Sequence, residues 1–124
     1  MLAQVNSAAL YGIDGTEIQV EVDVAFGLPR FNLVGLPDTA VREARERVRA
    51  AIKNSGFDFP NQRITVNLAP ADLPKEGPAF DLALAIGILA ASETVPLDKY
   101  KKAVFLGELS LDGTLRPIPG ILPL

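Results

Sequence analysis

The sequence predicts a single α+β domain, and three of its patterns carry that prediction. Residues 18–24 alternate apolar and polar side chains, the period of two expected for a strand with one exposed face. Residues 39–54 place apolar side chains at the spacing of an amphipathic helix, and residues 79–92 are apolar almost throughout, as in a buried helix. Helices and strands do not alternate strictly, so we expect a mixed or antiparallel sheet with two main helices.

Three further strands are predicted in the first seventy residues. A mixed apolar run over 2–10 precedes the alternating strand, with Asp14-Gly15 as the turn between the two. Glycine and proline residues bracket a short strand over 31–34. Another alternating strand over 64–68 stops at Pro70.

The first helix is predicted to begin after Asp38, a favourable N-cap residue, and to run over 39–54. Ser55-Gly56 supplies a left-handed C-terminal cap. Two pairs of opposite charge at i,i+4 predict an exposed helix face; they are Arg42 with Glu46 and Glu43 with Arg47.

A proline-rich loop over 69–78 leads into the apolar helix, whose only charged residue is Asp81. In the first turn of that helix, its negative charge meets the positive end of the helix dipole. A strand over 104–111, a turn at Asp112-Gly113 and a return over 115–118 form a second hairpin.

Composition excludes several kinds of chemistry. The 124 residues include no cysteine, so disulfides and thiolate catalysis are unavailable, and no histidine, the commonest general base. No apolar run is long enough to span a bilayer and the N-terminus lacks signal-peptide features, so we expect a cytoplasmic protein without a membrane partner. A net charge of −3 argues against a nucleic-acid footprint over the whole surface, although a local basic stripe could exist.

Short functional motifs are scarce. Neither a P-loop nor a dinucleotide-binding fingerprint occurs. Lys75 and Glu76 open the apolar helix, where an anion could bind, but an ordinary capped loop is the simpler interpretation. Asp72, Glu76 and Asp81 could together hold Mg²⁺, although such acids are more often solvated.

The densest basic feature is the arginine series of the first helix. Its members are Arg42, Arg45, Arg47 and Arg49, interleaved with Glu43 and Glu46. A solvated, salt-bridged face is the first interpretation, and a contact with DNA or with a neighbouring subunit is the sharper alternative.

Three long stretches, 33–56, 63–82 and 106–117, together resemble the N-terminal domain of the ComM/YifB family of magnesium-chelatase-related AAA+ proteins. The resemblance covers nearly the whole chain. It implies a fold similar to the proteolytic domain of Lon, with residues 1–124 as one Lon-like N-terminal domain cut from a longer chain. It further implies a downstream P-loop ATPase module, a homohexamer, and a role in DNA branch migration during recombination and natural transformation.

The resemblance also allows catalysis to be judged residue by residue. Where Lon-type sequences place the nucleophilic serine this chain has Ala79, and where they place the partner lysine it has Leu122. It therefore implies a degenerate site and no enzyme activity in this chain, with ATP and Mg²⁺ expected only in the ATPase module. Two alternatives stay open: a substrate- or adaptor-binding module of an ATPase with another target, and a cryptic Lon-like hydrolase. The candidate interaction residues are Arg42, Arg45, Arg49, Lys75 and Glu76.

Overall fold

The computed structural model describes residues 1–11, 14–69, 78–96 and 103–116, and it confirms the α+β prediction. A four-stranded mixed sheet carries two helices, and a small two-stranded sheet lies beside them. The elements are β1 Leu2–Tyr11, β2 Asp14–Ala25, β3 Arg30–Val34, α1 Asp38–Asn54, β4 Arg63–Ala69, α2 Asp81–Ala91, β5 Glu108–Leu109 and β6 Leu115–Arg116.

The large sheet has the strand order β1-β2-β4-β3. The pairs β1/β2 and β2/β4 are antiparallel, whereas β3 and β4 are parallel. A parallel pair cannot be joined by a tight turn, and α1 provides the crossover between β3 and β4. The first helix is thus placed beside the β3 edge of the sheet.

Register places most of the apolar side chains of the four strands on one face. Val20 lies opposite Val5 on one side and opposite Leu68 on the other, and all three side chains are buried. Because successive side chains of a strand alternate between faces, the intervening polar residues occupy the opposite face. There, the side-chain amide of Asn67 donates a hydrogen bond to Glu21 at 2.9 Å.

The ends of α1 agree only in part with the sequence prediction. Asp38 is the first residue of the helix instead of its N-cap, and Pro37 holds the N-cap position without a side-chain hydrogen bond. Asp38 therefore acts in the first turn, where its charge meets the helix dipole. The predicted C-terminal cap is confirmed, since Ser55 ends the helix and Gly56 has a φ of +91°.

The predicted turn at Asp14-Gly15 is wrong, because both residues already belong to β2. They pair with Tyr11 and Leu10 of β1. Residues 12–13, between the strands, lie outside the described residues.

The second hairpin is shorter than its sequence predicts. Val104 forms a single parallel bridge with Asn6, whose carbonyl accepts a hydrogen bond from the Phe105 N–H at 2.8 Å. The chain then leaves the β1 edge toward α2, and regular pairing resumes only at β5 and β6. The Asp112-Gly113 turn is confirmed: Gly113 has a φ of +92°. Residues 117–118 fall outside the described part.

The second helix is preceded by a short 3₁₀ turn, Pro78–Phe80, and is buried on nearly all sides. It packs against β1 and β2. Gly87 marks the closest approach, because a Cβ built there would lie 2.6 Å from Cγ2 of the fully buried Val22. Among the described residues, no helix is long and apolar enough to cross a bilayer.

This approach predicts that Gly87→Ala destabilises the fold. Alanine gains about 1 kcal/mol of helix propensity, but overpacking against Val22 costs about 1–3 kcal/mol, so we expect a net loss of up to about 2 kcal/mol. Urea unfolding measures the free energy. In a Val22→Ala background the same substitution should cost much less, and an equal cost in both backgrounds would contradict the contact.

Candidate functional site

The resemblance places the Lon-type nucleophile position in the 3₁₀ turn before α2. Ala79 is half-buried there, and its carbonyl accepts a hydrogen bond from the Gly107 N–H at 3.0 Å. In turn, the Gly107 carbonyl accepts one from the Leu82 N–H at 3.0 Å. These bonds fix the turn, and the Ala79 methyl offers no atom for nucleophilic or acid–base chemistry. Leu122 lies outside the described residues, as do Asp72, Lys75 and Glu76.

Two residues farther on, Asp81 is fully buried and makes a bidentate ion pair with Arg47. Arg47 Nε donates to Asp81 Oδ2 at 2.6 Å, and Arg47 Nη2 donates to Oδ1 at 3.1 Å. The Leu109 N–H donates a third hydrogen bond to Oδ2 at 3.1 Å. One carboxylate therefore joins α1, α2 and β5.

The electrostatics of the Arg47–Asp81 pair are those expected of a contact that stabilises the fold. The hydrogen bond to Asp81 raises the pKa of Arg47, which keeps the guanidinium charged. Burial raises the pKa of Asp81, against the opposing effect of the hydrogen bonds from Arg47 and Leu109. A buried carboxylate is costly unless it is paired and hydrogen-bonded, and here both oxygens are used.

The predicted i,i+4 pair of Glu43 with Arg47 is present, at 3.9 Å, but the exposed position expected for Arg47 is wrong. Its guanidinium is turned inward, and its main partner is Asp81 at 2.6 Å. Asp81 lies in the first turn of α2, as expected from the sequence, but its buried pair with Arg47 was not expected. The Mg²⁺ site considered for Asp72, Glu76 and Asp81 stays a prediction, because Asp72 and Glu76 lie outside the described residues. Within the described residues, no group of three or more His, Cys, Asp or Glu side chains is placed to hold a metal ion.

The other arginines of α1 remain on its exposed side. Arg42 and Glu46 do not form the predicted pair; Glu46 contacts Arg45 instead, at 3.3 Å. Arg45 and Arg49 line an open groove of about 360 Å³ beside β3, whereas Arg42 is not part of its wall.

Residues from three segments complete this groove. Arg30 comes from the start of β3, Lys53 from the last turn of α1, and Phe59 and Gln62 from the segment before β4. The guanidinium of Arg49 lies 6.0 Å from the centre of the Phe59 ring. No acidic residue lines the groove among the residues that the structure describes.

Arg30 and Lys53 were not among the interaction residues expected from the sequence, although Lys53 continues the i,i+4 series from Arg45 and Arg49.

Comparison with known protein families gives one match that covers most of the chain. The family described as subunit ChlI of Mg-chelatase matches residues 20–124.

Individual relatives agree with this match. The chain is 50% identical over 121 residues to the uncharacterised protein YifB of Escherichia coli K12, and 51% identical over 122 residues to the competence protein ComM of Haemophilus influenzae. Each alignment covers 98% of this chain but only 24% of the relative. Lon protease 2 of Bacillus subtilis is 27% identical over 136 residues, covering 96% of this chain and 24% of that protein. The chain thus spans about a quarter of the length of these relatives.

The buried ion pair predicts a large stability loss when Arg47 alone is changed. Arg47→Met keeps the apolar stem but leaves the Asp81 carboxylate unpaired, which should lower the free energy of unfolding by about 3–5 kcal/mol. Adding Asp81→Asn removes that charge and should recover a large part of the loss, as measured by urea unfolding.

Arg45→Met is the matched control on the same helix. Its exposed pair with Glu46 should contribute less than about 1 kcal/mol. Equal losses for Arg45→Met and Arg47→Met would contradict the assignment of the buried pair.

Proposed function

The chain belongs to the family described as subunit ChlI of Mg-chelatase, and on that premise we propose that it is a non-catalytic module of a ComM-type ATPase. In this proposal the module precedes a P-loop ATPase domain. The whole protein assembles into a hexamer in the cytoplasm and remodels DNA by branch migration. The similarity that covers nearly all of this chain but a quarter of ComM and YifB carries the proposal.

The 3₁₀ turn supports a non-catalytic role. The position of the expected nucleophile is occupied by Ala79, whose carbonyl is bonded to Gly107. Among the described residues, the buried carboxylate near this turn is that of Asp81, and its oxygens are engaged by Arg47 and Leu109. Such a site keeps the framework that positions a nucleophile but lacks the reacting group.

The proposal is tested with the natural full-length protein. We expect it to hydrolyse ATP, to be stimulated by branched DNA, and to move a four-way junction in an ATP-dependent manner. The 124-residue chain alone should neither hydrolyse ATP nor move a junction. As a control, substitution of the P-loop lysine in the ATPase module should abolish both activities. A full-length protein that lacks a P-loop, or that hydrolyses ATP without any response to DNA, would overturn the DNA-motor proposal.

A second candidate function is a cryptic Lon-like hydrolase, which the similarity to Lon protease 2 favours. We expect the chain to show no serine labelling by a fluorophosphonate probe and no release of fluorescence from labelled casein. Ala79→Ser alone should remain inactive, because Leu122 provides no proton-accepting amine. Labelling of the unmodified chain with matching peptidase activity would establish the hydrolase instead.

A further inference from the structure

We propose that the groove between α1 and β3 binds a single-stranded nucleic acid, with its cations on the phosphates and Phe26 stacked against a base. The inference rests on the proposed function only in taking nucleic acid as the target of the whole protein. Its evidence is the local charge, the spacing of the cations and the exposure of one aromatic side chain.

Charge in the groove is opposite in sign to that of the chain. The groove is lined by Arg30, Arg45, Arg49 and Lys53, whereas the chain as a whole carries a net charge of −3. Of these four cations, only Arg45 has a carboxylate partner among the described residues, the exposed Glu46 at 3.3 Å. Clustered cations without carboxylate partners are the electrostatic feature by which proteins attract the phosphates of a nucleic acid.

The cations of α1 are spaced along a line. Arg45, Arg49 and Lys53 recur every four residues, so they lie on one face of the helix about 6 Å apart. That separation is close to the distance between consecutive phosphates along one nucleic-acid strand. Arg30 lies on the opposite wall of the groove, at the start of β3. A single strand lying along α1 would therefore meet a cation at each successive phosphate.

An exposed aromatic residue lies next to this groove. Phe26, in the segment between β2 and β3, is 93% exposed, an unusual state for so large an apolar side chain. Gln62 lines both the groove and the depression at Phe26, so the two surfaces meet at this residue. Unpaired bases stack on exposed aromatic rings beside basic tracks in proteins that bind single strands.

This combination favours a single strand over other polyanions. A duplex keeps its bases stacked inside the helix, so Phe26 would have no base to contact. An acidic protein segment would satisfy the cations, but its carboxylate side chains offer no planar ring for Phe26, whereas every nucleotide carries one. Both remain distinguishable outcomes of the experiment.

The charge test measures binding of this chain to fluorescein-labelled oligo(dT) of about 16 nucleotides, the upper site size of a small single-strand-binding domain. Anisotropy is recorded between about 50 and 200 mM salt. Arg49→Gln with Lys53→Gln should raise Kd about tenfold or more at low salt. It should also reduce the slope of log K against log salt by about 1.4, because each phosphate contact on a single strand contributes about 0.7.

Arg42→Gln and Arg49→Gln form the matched pair of single variants. Both remove one positive charge from the exposed side of α1, but only Arg49 lines the groove. Arg49→Gln should raise Kd about three- to tenfold, and Arg42→Gln by less than about twofold. Equal effects would show that overall charge, and not the groove, controls binding, and would overturn the inference.

The stacking test uses the absence of tryptophan from the chain. Phe26→Trp should bind oligo(dT) as well as the unmodified chain, and the nucleic acid should quench its fluorescence. Val104→Trp is the control, because Val104 is also exposed but lies beyond β1, at the opposite edge of the sheet from β3. Phe26→Ala should raise Kd at least about fivefold. Equal quenching at positions 26 and 104, or no effect of Phe26→Ala, would overturn the role of Phe26.

Competition separates the remaining sources of negative charge. Duplex DNA or a poly-glutamate peptide that competes as well as oligo(dT) would overturn the preference for a single strand. The experiments also distinguish a wrong assignment of the groove from a wrong proposed function. If the groove variants bind oligo(dT) normally while the full-length protein still shows DNA-stimulated ATP hydrolysis, the groove assignment is wrong and the motor proposal stands.

Discussion

The contact between Arg47 and Asp81 is the constraint on which the arrangement of the helices depends. A carboxylate with no exposed surface requires a charged partner, and the side chain that meets it comes from the other helix. The same oxygen that accepts from Arg47 Nε also accepts from the Leu109 N–H. One carboxyl group therefore links α1, α2 and the small hairpin, and because it takes up Arg47, the other arginines of α1 are left on the exposed side of the helix.

Local patterns predicted the main elements of the fold because those elements are strongly periodic. The alternation around Val20 and the apolar run of α2 each identify an element and its buried side without any tertiary information. Prediction failed where tertiary geometry decides the outcome. The strand over 104–111 reads as regular in sequence, but it gives only a bridge at Val104 and the two-residue strand β5, because Gly107 between them bonds to Ala79 before α2.

The candidate sites show the same limit. Resemblance to a family located Ala79, and helical spacing located Arg45 and Arg49. Neither signal could assign Arg47 to the interior, although Asp81, the single charge of an apolar helix, was a clue that a buried partner was needed. Arg30 joins the groove through the parallel pairing of β3 with β4, a long-range contact that no local pattern encodes.

The close approach of α2 to the sheet has a consequence for how this family can change over time. Only a hydrogen atom fits between the α2 backbone at Gly87 and the side chain of Val22. A larger residue at position 87 becomes tolerable when position 22 shrinks at the same time. Aligned relatives should therefore show these two positions covarying, with glycine at 87 retained wherever a branched residue is retained at 22.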